Sequence, residues 1–210
     1  MKRIISSFLA LGICLIRATV PLMVQPSWGQ SQNSQVEEVK RLIQLAEQQT
    51  QQGQSQQAIE TLQRVLAISR QLKDREQEAI ALLGIGINNN NIGQHEQALD
   101  YYNQALSIFR EINHRYGEAT TLNNIGLVYH AIGQPQKALE YYNQALPIRR
   151  EVGDRSGEAT TLNNIGGVYS AIGQPQKSLE YYSQALPISR EVGDRSGEAT
   201  TLNNIGWVYR

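Results

Sequence analysis

Cysteine is all but missing: Cys14 is the only one in 210 residues. The rest of the chain therefore has no thiol nucleophile, redox pair or disulfide, and no Cys cluster to hold a metal. Its three histidines, His95, His114 and His130, lack metal-ligand spacing and read as surface residues. An excess of either charge is also missing, with 19 basic against 19 acidic side chains. Because the first 29 residues hold three of the basic groups and no acid, the remainder carries a net charge of about −3. A protein that neutralises phosphates needs a basic stripe, and this sequence has none, so nucleic acid is not an expected partner. Gly84-Ile85-Gly86 opens like a dinucleotide-binding turn but lacks the third glycine, and no cofactor or metal is expected.

Long apolar runs are confined to the N-terminus. Met1, Lys2 and Arg3 precede an apolar stretch from Ile4 to Ile16, and Ser27, Trp28 and Gly29 supply a small-residue exit. Residues 1–29 thus have signal-peptide grammar, which predicts an exported, periplasmic or secreted protein. Arg17 and Pro21 interrupt the run, and a second apolar patch follows from Val20 to Val24. The alternative is a chain anchored in the membrane by residues 4–24, the one route by which it would meet a bilayer. Residues 30–36, QSQNSQV, are polar and aperiodic and read as a linker.

What the sequence has in abundance is itself. Residues 117–156 recur over 157–196 with five changes, and a further copy runs on to TLNNIGWVYR. Self-similarity at a fixed period predicts a solenoid, in which each unit buries its apolar face only against its neighbours. Four repeats are expected at about 37–74, 75–114, 115–154 and 155–194, followed by the first helix of a fifth at 195–210. Within the third unit Leu122, Ile125, Val128, Tyr129 and Ile132 recur at steps of three and four, placing them on one face of a helix from about 115 to 132. Gly133 supplies the stop and Pro135 the next start. Ala138, Leu139, Tyr142, Ala145 and Leu146 form the inner face of a second helix, Gly153 ends it, and Asp154 caps the one after.

Gly126 and its equivalents Gly86, Gly166 and Gly206 lie inside the first helix, where glycine costs about 1 kcal/mol against alanine. A close helix crossing would explain them, with Ala98 and Ala138 as small partners. Pro147 and Pro187 fall inside the second helix and predict a bend there that Ala67 and Ser107 do not. The asparagine run 88–91 predicts the loosest helix end, and the charges of RREVGDRSGE read as a solvated connection.

Leu122, Ile125, Gly126, Tyr129, Ala138, Tyr142 and Ala145 sit in order at the offsets of the tetratricopeptide repeat, which this chain resembles over about residues 37–210. The 40-residue period is similar to the kinesin light chain variety, and the phrase TTLNNIG resembles long cyanobacterial arrays. That resemblance implies an all-α, right-handed superhelical solenoid of antiparallel helix pairs, and a first helix that lines a concave groove. Groove positions would then be Thr120, Asn123, Leu127 and His130, then Thr160, Asn163, Gly167 and Ser170, then Thr200, Asn203 and Trp207. The asparagines Asn123, Asn163 and Asn203 offer donors and an acceptor to the backbone of an extended peptide. Equally, they order the stack by bonding the next repeat, the role expected of Asn124, Asn164 and Asn204. Tyr141, Tyr142, Tyr181 and Tyr182 read as core and flank.

The expected function is a non-enzymatic scaffold that binds an extended peptide or protein segment. A second reading makes the chain the sensor portion of a longer protein, since cyanobacterial arrays of this kind resemble the N-terminal part of proteins that continue into a CHAT peptidase-like domain. A third makes it a stacking element that self-associates through the helix at 195–210. That helix is expected to pack Leu202, Ile205 and Tyr209 on the fourth unit while leaving apolar surface exposed.

Overall fold

The computed structural model describes residues 27–209. Of the leader expected over residues 1–29, residues 1–26 lie outside them, as does the anchor at 4–24, and Ser27, Trp28 and Gly29 fall in the first helix. Among the described residues there are nine helices and no strand: α1 Ser27–Gln51, α2 Ser55–Leu72, α3 Arg75–Asn91, α4 His95–Glu111, α5 Arg115–Ala131, α6 Pro135–Glu151, α7 Arg155–Ala171, α8 Pro175–Glu191 and α9 Arg195–Val208. Residues 30–36 belong to α1 and are no linker. Their glutamines are good helix formers, which a reading based on apolar periodicity overlooks. No described helix is long and apolar enough to cross a membrane.

The helices are cut to length by one turn used eight times. Gly53, Gly93, Gly133, Gly153, Gly173 and Gly193 all have φ between 70° and 76°, and Lys73 (58°) and Asn113 (55°) take the same left-handed conformation. These positions recur every twenty residues, so the 40-residue unit consists of two arms of nearly equal length. The next amide then bonds back into the helix just ended, as Gln134 N does to Tyr129 O at 2.8 Å, and satisfies carbonyls the helix end leaves open. Asp74, Asp154 and Asp194 cap the following helix through a side-chain oxygen, and His114 does so through Nδ1.

The second, third and fourth hairpins each close on a tyrosine. A Cβ at Gly126 would lie 2.6 Å from Tyr142 Cε1, and Gly86 and Gly166 meet Tyr102 and Tyr182 in the same way. The close partner is thus the aromatic ring, not the alanines Ala98 and Ala138, which are buried elsewhere in the seam. Around each ring Leu122, Ile125 and Val128, or Leu162, Ile165 and Val168, are fully buried. Tyr129 is half-buried and stacks on Tyr141 at 5.4 Å between centroids, while Ile132 caps the helix and is exposed.

Helices α6 and α8 contain Pro147 and Pro187 and match α4 in length at 17 residues. Both prolines face solvent, so water can reach the carbonyl four residues earlier that loses its donor. The asparagine run is tied down: Asn88 Nδ2 donates to Gly84 O and Thr50 Oγ1, and Asn89 Nδ2 to Ile85 O. The charged segment is no solvated connection either. Arg155 to Glu158 form the first turn of α7, and Glu158 is buried between Arg150 and Arg155. Glu78 and Glu118 are held likewise, each by two arginines. Arg75, Arg115 and Arg155 also reach forward to Glu111, Glu151 and Glu191, stitching each unit to itself across 36 residues.

Candidate functional site

Curvature selects the face on which a partner would lie. Each helix packs on its sequence neighbour, but α3 also touches α5, α5 touches α7 and α7 touches α9, whereas no even-numbered pair makes contact of that extent. Helices α3, α5, α7 and α9 are therefore crowded together on the inside of the bend and line the concave face, and α1 meets α3 through the bond between Thr50 and Asn88.

At the N-terminal end this face is apolar. Between α1 and α3 lies an open cleft of about 300 Å³, walled by Ile43, Ala46, Ile80, Leu83 and Ile87 and rimmed by Glu47, Thr50, Gln51 and Asn88. Gly84 keeps it open from below, where a Cβ would stand 2.9 Å from Leu62 Cδ1. None of the cleft's lining residues was among the expected groove positions. A signal existed: Ile43 and Leu83 occupy the phase held by Asn123, Asn163 and Asn203 in later units.

From the third unit onward the same phase turns polar and interlocks. Asn123 is buried, and its Oδ1 accepts from Thr161 Oγ1 at 3.3 Å and from Asn164 Nδ2 at 3.1 Å. One unit on, Asn163 Nδ2 donates to Thr201 Oγ1 at 2.6 Å and its Oδ1 accepts from Asn204 Nδ2 at 3.3 Å. Both asparagines thus bond the next repeat, and Asn164 and Asn204 complete the ladder. Asn203 is exposed.

The remaining expected positions divide by unit. Thr120 is half-buried, donates to Tyr116 O and accepts from Arg149 Nη2 at 2.9 Å. Thr160 and Thr200 are exposed and bond only their own helix backbone, at Ser156 O and Ser196 O. Leu127 is 37% exposed and His130 half-buried, with its Cε1 3.9 Å from where a Cβ on Gly167 would stand. Ser170 is exposed, and Trp207 is 69% exposed on α9. Leu202 on that helix is 44% exposed where Leu122 and Leu162 are fully buried, and Ile205 is half-buried, while Tyr209 lies beyond the helix, is 76% exposed and does not pack on the fourth unit as expected. Along the flank Lys137 and Lys177 lie over Tyr129 and Tyr169, 5.1 and 5.2 Å from the ring centroids.

With this architecture in view, the sequence matches the family model for the tetratricopeptide repeat over residues 40–111, 90–151 and 157–210. The chain belongs to the tetratricopeptide repeat family. Its fold is similar to the crystal structure of BtubC (BKLC) from P. vanneervenii, at 18% identity and a TM-score of 0.70, over 88% of this chain and 84% of that one. A putative kinesin light chain with nearly identical repeats from Podosopora anserina aligns at 20% identity and a TM-score of 0.65, over 81% of this chain and 85% of that one. A Rap protein complexed with Competence and Sporulation Factor aligns at 19% identity and a TM-score of 0.75, over 83% of this chain but only 52% of the Rap protein. No curated protein matches the tetratricopeptide repeat chain in sequence.

Proposed function

We propose that this tetratricopeptide repeat array is a non-enzymatic scaffold that binds an extended peptide or protein segment along its concave face. The observation that carries the reading is the apolar cleft between α1 and α3 on the concave side. It opens onto a run of polar positions extending to α9, so one strand of partner would meet an apolar anchor site first and a hydrogen-bonding surface after it. At about 10 Å between equivalent helices and about 3.3 Å per extended residue, each unit spans roughly three residues of such a strand. The peptide held by a Rap protein of similar fold, described as a complex with the Phr* peptide, is consistent with this use of the fold. Selectivity would come from the apolar cleft, with Leu127, His130, Gly167 and Trp207 further along.

The test is selection of peptides from a displayed random library on the immobilised full chain, followed by fluorescence anisotropy. Selected peptides should share one aliphatic or aromatic position. Removing most of a buried aliphatic contact costs about 1.5–3 kcal/mol, so Ile43→Ala and Leu83→Ala should each weaken binding tenfold or more while the melt still shows a folded array. Peptides with no shared apolar position, or affinities indifferent to both substitutions, would refute the reading. The leader supports a further part of the proposal, that the scaffold acts after export, in the periplasm or outside the cell. Recovery of the chain from the cytoplasm with Met1 still present would overturn that part.

A second reading, self-association through α9, draws on the exposure of Leu202 and Tyr209. Light scattering across a concentration series distinguishes it, because an array that stays monomeric at high concentration does not use this face.

A further inference from the structure

The two near-identical blocks differ at position 149/189, where the first has arginine and the second serine. Arg149 is an interior residue, only 6% exposed. Its Nη1 pairs with Asp154, its Nη2 donates to Thr120 Oγ1 at 2.9 Å, and its guanidinium lies over the Tyr116 ring, 5.0 Å from the centroid. A Cβ on Gly157 would collide with the arginine side chain. The third unit therefore contains a built receptor for a guanidinium, made of the free oxygen of a helix-capping aspartate, a threonine hydroxyl and the open space beside a glycine, and the chain fills it with its own side chain.

In the fourth unit the receptor is repeated and its occupant is not. Thr160, Asp194 and Gly197 take the places of Thr120, Asp154 and Gly157, and they line an open pocket of about 320 Å³ together with Asn163, Asn164, Ser196, Thr200 and Asn204. Asp194 Oδ1 accepts from Gly197 N at 2.9 Å, just as Asp154 Oδ1 accepts from Gly157 N. The oxygen that would match the one Arg149 binds, Asp194 Oδ2, has no partner among the described residues. Thr160 Oγ1 spends its proton on Ser156 O at 3.0 Å and keeps its lone pairs for an incoming donor. Ser189 is buried beside Gly197 and makes no hydrogen bond to either of them. The nearby cations do not neutralise Asp194, because Arg190 and Arg195 are both directed at Glu198, at 2.7 and 3.1 Å.

We infer that this pocket between α7 and α9 is a binding site for an arginine side chain of the partner peptide. Asp194 Oδ2 takes one arm of the guanidinium and Thr160 Oγ1 another, the contacts Arg149 makes one unit earlier. A planar fork satisfies two acceptors set apart in this way better than the point charge of an ammonium does. Ser156 replaces the stacking Tyr116, so recognition here rests on the hydrogen-bonding pair. The inference deepens the groove reading and rests on it for the remainder of the peptide.

The experiment uses the ¹⁵N-labelled full chain titrated with N-acetyl-arginine methylamide, with the lysine and citrulline analogues as probes of charge and shape. Arginine should shift the amides of Asp194 and Gly197 and leave those of Asp154 and Gly157 still. Hydrogen bonds to a charged group contribute about 1.5–3 kcal/mol, so neutral citrulline should bind about tenfold more weakly or worse. Ser189→Arg should fill the pocket from within, abolish the shifts and leave the fold intact. Arg149→Ser should open a second site, so that Gly157 now responds. Equal binding of citrulline, or shifts that persist in Ser189→Arg, would overturn the inference. A library-selected peptide that binds the apolar cleft, carries no arginine and is indifferent to Ser189→Arg would overturn it while leaving the groove reading in place.

Discussion

Substituting alanine at two adjacent glycines of α7 tests what holds each hairpin shut. At Gly166 the new Cβ would stand 2.6, 2.7 and 3.1 Å from Cε1, Cδ1 and Cζ of Tyr182, a ring that is itself 2% exposed and has nowhere to retreat. At Gly167 the nearest atoms are Tyr182 Oη at 3.8 Å and His130 Cε1 at 3.9 Å, which is ordinary contact. Both substitutions gain the same helix propensity, about 1 kcal/mol, so that term cancels in the comparison. What remains is the overpacking at Gly166, about 1–3 kcal/mol. Gly167→Ala should therefore stabilise slightly, Gly166→Ala should range from neutral to clearly destabilising, and the gap between them should be about 1–3 kcal/mol. Urea unfolding of both variants measures the gap. Amide exchange in α7 and α8 localises it, which matters because arrays can unfold unit by unit. In a Tyr182→Leu background the gap should shrink, since the ring that causes it is gone. If Gly166→Ala stabilises as much as Gly167→Ala, the claim that the glycine exists to admit the tyrosine is wrong.

Other consequences follow from the same contacts. Asn123→Ala strips the acceptor from Asn164, while Thr161 keeps its shorter bond to Gly157 O, and should lower stability by about 0.5–1.5 kcal/mol in a chemical melt with no ligand present, whereas an unchanged melt would return Asn123 to a ligand role. Ala138 lies where the next unit has Ser178, whose hydroxyl donates to Gly166 O at 2.8 Å; Ala138→Ser should gain the matching bond to Gly126 O and stabilise by about 1 kcal/mol, and a loss of stability would refute the pairing. Burial alone would push the Glu78 carboxyl up, but hydrogen bonds from Arg70 and Arg75 outweigh it and hold the group below its ordinary value, as Arg115, Arg155 and Arg190 do for Glu151, Glu191 and Glu198. A carboxylate so depressed stabilises the fold above its unfolded pKa and loses that effect as pH falls through the folded value. The melting temperature should hold above about pH 5 and fall below it, and a melt that stays flat down to about pH 3 would contradict this.

Much of the fold was legible because the repeat states its own grammar several times. The apolar steps of Leu122, Ile125 and Val128, the stops at Gly133 and Gly153 and the cap at Asp154 are local features, and local features survive folding unchanged. The site was less legible. Thr120, Asn123 and Asn163 were expected to meet a peptide, yet their hydrogen bonds run to Arg149, Thr161, Thr201 and Asn204, and the longer of these links span 38 to 41 residues that no local pattern joins. Glu158 looked solvated for the same reason, since its burial depends on how one unit stacks on the next.

The sequence by itself determined the period, the helical hairpin and the family, since all three follow from which residues recur at which spacing. Only the tertiary structure decided which polar groups remain for a partner. Asparagine, arginine and aspartate have the same donors and acceptors whether they bind a neighbour or a ligand, and distance alone distinguishes the two. Position 149/189 makes the point most directly: a single change from arginine to serine appears in the sequence as ordinary drift between copies. In three dimensions it is the difference between a filled guanidinium receptor and an open one.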